Sequence, residues 1–144
     1  MGERIRRKGP GPRPAQAVTR PVLFDASFLI EIERESAARE IGPARRLLTS
    51  LRGRRAVISV VTVAELLEGA ADQKAALKSL LSFNIQGIQL SQARRCANLQ
   101  RRARRRLGEN DAWIVATAET LDADVVGADR PAFARLGSRY LPFR

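Results

Sequence analysis

Four acidic side chains follow short apolar runs of the sequence or begin the helix that leads into one. They are Asp25, Glu65, Asp111 and Asp129. In open parallel sheets, ligands bind beyond the carboxyl ends of the strands, where these acids can converge. Converging carboxylates repel one another unless a cation lies among them, and oxygen ligands without imidazole or thiolate favour Mg²⁺ or Mn²⁺. The pattern therefore predicts a divalent metal site with Mg²⁺ (or Mn²⁺) as the cofactor.

Each of these acids also has an ordinary structural interpretation. Asp25 can cap the helix after it, and Asp129 can be a turn residue. Thr62 and Glu65 fit a capping box, whereas Asp111 suits the positive end of a helix dipole. These interpretations explain helix starts, but they do not explain why all four acids reach one sheet edge. The other acids of interest fall where a solvated helix face or loop is expected: Glu31, Glu33, Glu35, Glu40 and Asp122.

The chain is strongly basic, and its positive charge is concentrated in blocks. Its 144 residues hold 26 Lys and Arg against 15 Asp and Glu, a formal net charge of +11. Residues 94–106 contain seven arginines and no acid. Guanidinium groups suit phosphate, so this block predicts RNA contact through Arg94, Arg101, Arg102 and Arg105, against the alternative of a solvated helix face. The few aromatic residues do not interleave with the basic blocks, so no base-stacking platform is expected.

Composition excludes several classes of protein. The chain has no His, which removes imidazole bases, and its single Cys cannot form a disulfide within the chain. No segment approaches the roughly 18 apolar residues that span a bilayer, and the basic start lacks the apolar core of a secretory signal. We therefore expect no membrane association and a cytoplasmic protein. Residues 1–20 hold six cations, one acid and three prolines, which predicts a disordered basic arm before a single domain at 21–144.

Short apolar strands alternate with helices along the rest of the chain. This order predicts a three-layer α/β/α domain with a central parallel sheet of four or five strands. The expected strands are 22–24, 56–61, 85–90 and 124–127, with a possible fifth at 139–143. The expected helices run through 28–30 to about Glu33, from 43 to Gly53, over 62–68, 72–82 and 91–107, from an Asn110 cap to Leu121, and briefly from Pro131.

Four segments, at 22–30, 58–69, 110–118 and 125–133, resemble in order the motifs of PIN-domain ribonucleases, and most nearly those of VapC toxins. The resemblance implies a Mg²⁺- or Mn²⁺-dependent endoribonuclease specific for single-stranded RNA. It also implies a homodimer inhibited by a cognate VapB-like antitoxin that inserts a segment at the acidic site. Asp25 and Asp111 would be metal ligands, Glu65 would complete the site and orient the attacking water, and Asp129 would be the fourth acid.

One position departs from that family's pattern. PIN proteins often carry Thr or Ser two residues before the fourth acid, where this chain has Gly127. The departure puts a second metal position in question. Two alternatives to a toxin stay open: a PIN-fold nuclease of RNA processing, and a catalytically silent nucleic-acid-binding module. Four acids argue against the silent module, because desolvated carboxylates facing a polyanion bring it no benefit.

Overall fold

The structure, a computed structural model, describes residues 20–144. The basic arm predicted at 1–20 therefore lies, apart from Arg20, outside the described residues. A four-stranded parallel sheet forms the centre of the domain, in the order β3-β2-β1-β4. Its strands are β1 (Val22–Phe24), β2 (Ala56–Ser59), β3 (Asn84–Gln86) and β4 (Asp124–Val126).

Helices cover both faces of this sheet, so the predicted α/β class and layered architecture are confirmed. They are α1 (Ala26–Ala37), α2 (Pro43–Ser50), α3 (Val60–Glu68), α4 (Gln73–Leu80), α5 (Leu90–Arg102), α6 (Glu109–Leu121) and α7 (Arg130–Phe133), followed by a 3₁₀ helix at Ala134–Arg139. Because side chains alternate along a strand, Phe24 packs with α1, α2 and α3 on one face. Leu23 packs with α6 and α7 on the other.

The predicted boundary between β2 and α3 is wrong by two residues. The strand ends at Ser59 instead of Val61, and Ser59 is the cap of α3, its hydroxyl accepting the Val61 N–H at 3.1 Å. Thr62 therefore lies inside the helix, fully buried, and the capping box predicted for Thr62 and Glu65 does not form. The Glu65 side chain therefore does not cap this helix.

The predicted helix at 91–107 is shorter than expected. α5 ends at Arg102, and Ala103 is already extended. The Gln100 side chain accepts the Leu107 N–H at 2.9 Å and donates to the Leu107 carbonyl at 3.1 Å, which folds the chain back towards α6. α6 then begins after Gly108, not after the predicted Asn110 cap.

Other predicted ends also shift. α1 continues to Ala37, beyond the expected end near Glu33, and β3, at Asn84–Gln86, shares only residues 85 and 86 with the predicted strand at 85–90. The possible fifth strand at 139–143 reduces to a single parallel bridge between Val125 and Tyr140.

Glu35 is buried, so the expectation of a solvated position is wrong. Its carboxylate accepts three backbone N–H groups, from Gly42, Ala44 and Arg45, at 2.9–3.0 Å. Burial raises the pKa of Glu35, and the three donors more than offset it, so the pKa lies below its ordinary value. Glu35 thereby holds the end of α1 against the start of α2.

The two edges of the sheet differ. The β4 edge is covered by the segment after the 3₁₀ helix, where the Leu141 N–H donates to the Val125 carbonyl at 2.8 Å. The β3 edge instead exposes Ile85 and, beside it, Ile88 and Leu90. Within residues 20–144, no helix is both long and apolar enough to cross a membrane.

Candidate active site

The end of β1 is tied to the segment that follows β4. Asp25 directly follows β1 and is almost fully buried, and its N–H donates to the Val126 carbonyl at 2.9 Å. The Ser27 hydroxyl donates to Asp25 Oδ2 at 2.7 Å and accepts the Ala128 N–H at 2.9 Å. Asp25 also caps α1, as its structural interpretation requires. Ser27 thus holds both the Asp25 carboxylate and the backbone of Ala128, the residue before Asp129.

Glu65 reaches the same region from α3. Its Oε1 is buried and has no hydrogen-bond partner among the described residues. Burial raises the pKa of Glu65, the negative charge of Asp25 raises it further, and the nearby Asn110 amide offsets part of the effect. Asn110 lies in the first turn of α6, so α3 and α6 meet at this point. A buried carboxylate oxygen without a donor is a free ligand position.

Asp111 lies in the first turn of α6, and its pKa is strongly raised. Burial raises the pKa of Asp111 to about 7, helped by a hydrogen bond with Asp129 and by the charges of Asp129, Asp25 and Glu65. A proton held by Asp111 relieves this repulsion. Asp129 itself is exposed and caps α7, its Oδ1 accepting the Ala132 N–H at 3.2 Å.

The structure brings the four acids to one edge of the sheet, which we call the acidic edge: Asp25, Glu65, Asp111 and Asp129. There the negative charges of the other three raise the pKa of Asp111. They do not form a closed cage: among residues 20–144, no three acids stand close enough together to enclose a metal ion. The donor set nevertheless fits a hard divalent cation. All four side chains offer carboxylate oxygens, one of these oxygens is buried and unpartnered, and a cation would replace the proton that now relieves the repulsion.

Gly127 is required by the packing of this edge. A Cβ at this position would lie 2.5 Å from Phe133 Cε2 and 3.1 Å from the Cβ of Asp25. Phe133 is fully buried, so its ring cannot move aside easily. The Tyr140 hydroxyl also donates to the Gly127 carbonyl at 2.8 Å. The departure from the PIN pattern at this residue therefore has a steric cause.

The arginines predicted to bind RNA are all exposed. Arg94, Arg101 and Arg102 lie on α5, and Arg105 lies in the loop before α6. In the part of the chain that the structure describes, none of the four forms an ion pair. Their guanidinium groups are available to a phosphate backbone, and RNA contact stays a prediction.

Trp113 is a residue that the sequence reasoning missed. No aromatic residue lies within the basic block of residues 94–106, yet Trp113 of α6 lines a cavity together with Arg101 and Arg106. The missed signal was the short connection between residues 102 and 109, because two helices joined by a short loop pack side by side. That connection places the basic helix α5 against the helix that carries Trp113.

Comparisons with known proteins agree with this geometry. A family model described as PIN domain matches residues 22–138. A chain of the toxin–antitoxin complex from Klebsiella pneumoniae is 25% identical, with a TM-score of 0.68 over 83% of this chain and 98% of that one. VapBC-1 from nontypeable Haemophilus influenzae is 22% identical, with a TM-score of 0.62 over 80% and 91%. VapBC2 from Rickettsia felis, bound to a promoter DNA fragment, is 17% identical, with a TM-score of 0.65 over 84% and 96%. No curated protein sequence matches.

The raised pKa of Asp111 predicts a pH-dependent stability. The folded chain keeps this proton up to about pH 7, whereas a free carboxyl loses it near 3.8, so stability falls as pH rises between these values. We expect Asp111→Asn, without added metal, to raise the melting temperature by more at pH 8 than at pH 5. Thermal unfolding in EDTA measures this, with Glu33→Gln, an exposed acid on α1, as the control. A gain for Asp111→Asn that is the same at both pH values would contradict the electrostatic interpretation.

Proposed function

The chain belongs to the PIN domain family, and from that premise we propose that it is a metal-dependent endoribonuclease acting on single-stranded RNA. The observation that carries the proposal is the convergence of the four acids at one sheet edge, where Ser27 fixes the Asp25 carboxylate and Glu65 Oε1 is buried without a partner among the described residues. Asp25 and Asp129 also cap helices, but capping alone does not explain why the charges of Asp25, Glu65 and Asp129 all raise the pKa of Asp111. A divalent cation held among these carboxylates would offset their mutual repulsion.

The residues of this edge have distinct roles in the proposed reaction. Asp25 is held ready by Ser27, and Glu65 offers its unpartnered Oε1. Asp111, whose pKa is raised, must lose its proton before it can act as a ligand. A bound Mg²⁺ or Mn²⁺ supplies water activation and neutralises charge on the scissile phosphate. Glu65 would complete the metal site and help to orient the attacking water.

Loss of either central acid tests the site. We expect Asp25→Asn and Asp111→Asn each to reduce cleavage of a labelled single-stranded RNA by at least roughly 100-fold, because each removes a charged ligand. Cleavage is measured with Mg²⁺, with Mn²⁺ and with EDTA, and circular dichroism verifies the fold. Glu33→Gln serves as the matched control and should cut at the normal rate. Undiminished cutting by folded Asp25→Asn or Asp111→Asn protein, or cutting in EDTA, would refute the assignment.

The basic block is proposed to hold the RNA backbone. Replacing Arg101, Arg102, Arg105 and Arg106 by Gln should weaken RNA binding and reduce the slope of log K against log salt by up to about 3, since each phosphate contact on a single strand contributes roughly 0.7. The matched control removes four exposed cations elsewhere: Arg52, Arg55, Lys74 and Lys78. Equal slopes for the two quadruple variants would indicate that the arginines of this block are only solvated and do not contact RNA.

We further propose that the protein is the toxin of a toxin–antitoxin pair, bound by a VapB-like antitoxin and assembled as a homodimer. The likeness of the fold to a chain of the Klebsiella pneumoniae complex supports this. The apolar side chains exposed near the β3 edge, among them Leu81 and Leu90, offer surface that assembly can bury.

The toxin assignment predicts an effect on growth. Induced expression of the wild-type chain in bacteria should stop growth within a few generations, because uncontrolled RNA cleavage blocks protein synthesis. Expression of Asp25→Asn at the same level should not. Colony counts and a mass spectrum of the purified sample, which would reveal a bound antitoxin, provide the measurement. Normal growth with an active, unbound nuclease would favour an RNA-processing enzyme.

A further inference from the structure

A groove between α5 and α6 contains a cavity of about 330 Å³. Its lining includes Ala93, Ala97 and Arg101 from α5, Arg106 from the loop, and Glu109 and Trp113 from α6. We call these six residues the α5–α6 groove. The volume lies at the small end of the range of roughly 300–1,000 Å³ for small-molecule sites, so it suits one planar group and not an extended segment.

The floor of the groove is aromatic. One side of the Trp113 indole packs on the buried cluster that contains Cys96 and Ala112, and the side chain remains half-exposed. From α5, the small side chains of Ala93, Cys96 and Ala97 line the cavity, together with the longer ones of Gln100 and Arg101. A half-exposed indole that lines a cavity is a surface on which another ring can stack.

The rim of the groove carries the charges that a nucleotide needs. Within residues 20–144, neither Arg101 nor Arg106 forms an ion pair. The Gln100 side chain forms hydrogen bonds with both the N–H and the carbonyl of Leu107, which fixes the backbone next to Arg106. Glu109 is an acid in this lining, and a carboxylate accepts the amino donors of base edges. Aromatic floor, cationic rim and one acceptor together match a nucleobase with its phosphate.

The groove lies beside the acidic edge. Glu109 lines the groove, and Asp111 belongs to the acidic edge, yet both lie in the first turn of α6. Residues two apart on an α-helix point to nearly opposite sides of it, so the groove and the acids are separated by the helix width of about 10 Å. A base held in the groove would therefore belong to a nucleotide near, but not the same as, the one whose phosphate meets the acids.

We propose that the α5–α6 groove binds one unstacked nucleobase of single-stranded RNA, stacked on Trp113 with its backbone held by Arg101 and Arg106. The inference rests on the proposed function for the identity of the polymer. It adds a base-recognition subsite to a basic surface that otherwise reads only phosphate.

Trp113 is the only tryptophan of the chain, so its fluorescence reports on this groove alone. The test uses the full chain with Asp111→Asn, in EDTA, titrated with a short oligoribonucleotide and with the same length of abasic RNA. We expect quenching by the oligoribonucleotide and little change with abasic RNA, inorganic polyphosphate or polyglutamate. Equal quenching by abasic RNA or by polyglutamate would overturn the proposal, the latter because it would indicate a site for an acidic peptide.

Substitution provides the second measurement. Trp113→Leu should weaken binding of labelled oligoribonucleotide about tenfold with an unchanged salt slope, whereas Trp113→Phe, which keeps a ring, should lose much less. Abasic RNA should bind both variants as it binds the parent. Equal losses for both RNAs, or an equal loss in both variants, would show a merely structural tryptophan. Because binding is measured without metal, failure of the nuclease proposal appears separately, as missing metal-dependent cleavage with base-dependent quenching intact.

Discussion

The acidic edge depends on the parallel pairing of β1 with both of its neighbours. β1 lies between β2 and β4, and each strand has only three or four residues. The chain leaves all of these strands at the same edge, where Ser27 binds both Asp25 and the segment after β4. The carboxylates cannot avoid one another without breaking the sheet. Burial of the apolar side chains on both faces stabilises the sheet, and the sheet keeps the acids close together despite their repulsion.

Helix α6 connects the two opposite charge environments of the protein. Its first turn carries Asp111 into the acidic edge, and its opposite side carries Trp113 against α5 and the arginines. In a chain of net charge +11, the acids are thus separated from the basic surface by the width of one rigid element. In the proposed reaction, attraction of a polyanion and neutralisation of one phosphate would therefore occur on opposite sides of the same helix.

The strands and Asp25 were predictable because an apolar run followed by an acid is a local pattern, whereas Glu65 and Asp111 lie on α3 and α6 and reach the edge only through the packing of those helices. The ends of elements were less so: Ser59 and Thr62 both carry a capping hydroxyl, and only the pairing of Ser59 with Gln86 in the sheet decides between them. Glu35 gave no signal, because its partners are backbone N–H groups that every sequence possesses. The position of Trp113 beside the arginines depends on how two helices pack, which periodicity within either helix does not contain.

The separation in sequence of these contacts has a consequence for the order of folding. Glu35 binds N–H groups only seven to ten residues away, whereas Ser27 and Ala128 are 101 residues apart. Closing the longer loop costs more chain entropy, so we expect β4 to join β1 late. Until then Asp129 is not held near Asp111, and the full repulsion does not yet exist. During synthesis on the ribosome the chain would accordingly remain without a complete acidic edge until almost all of it has emerged.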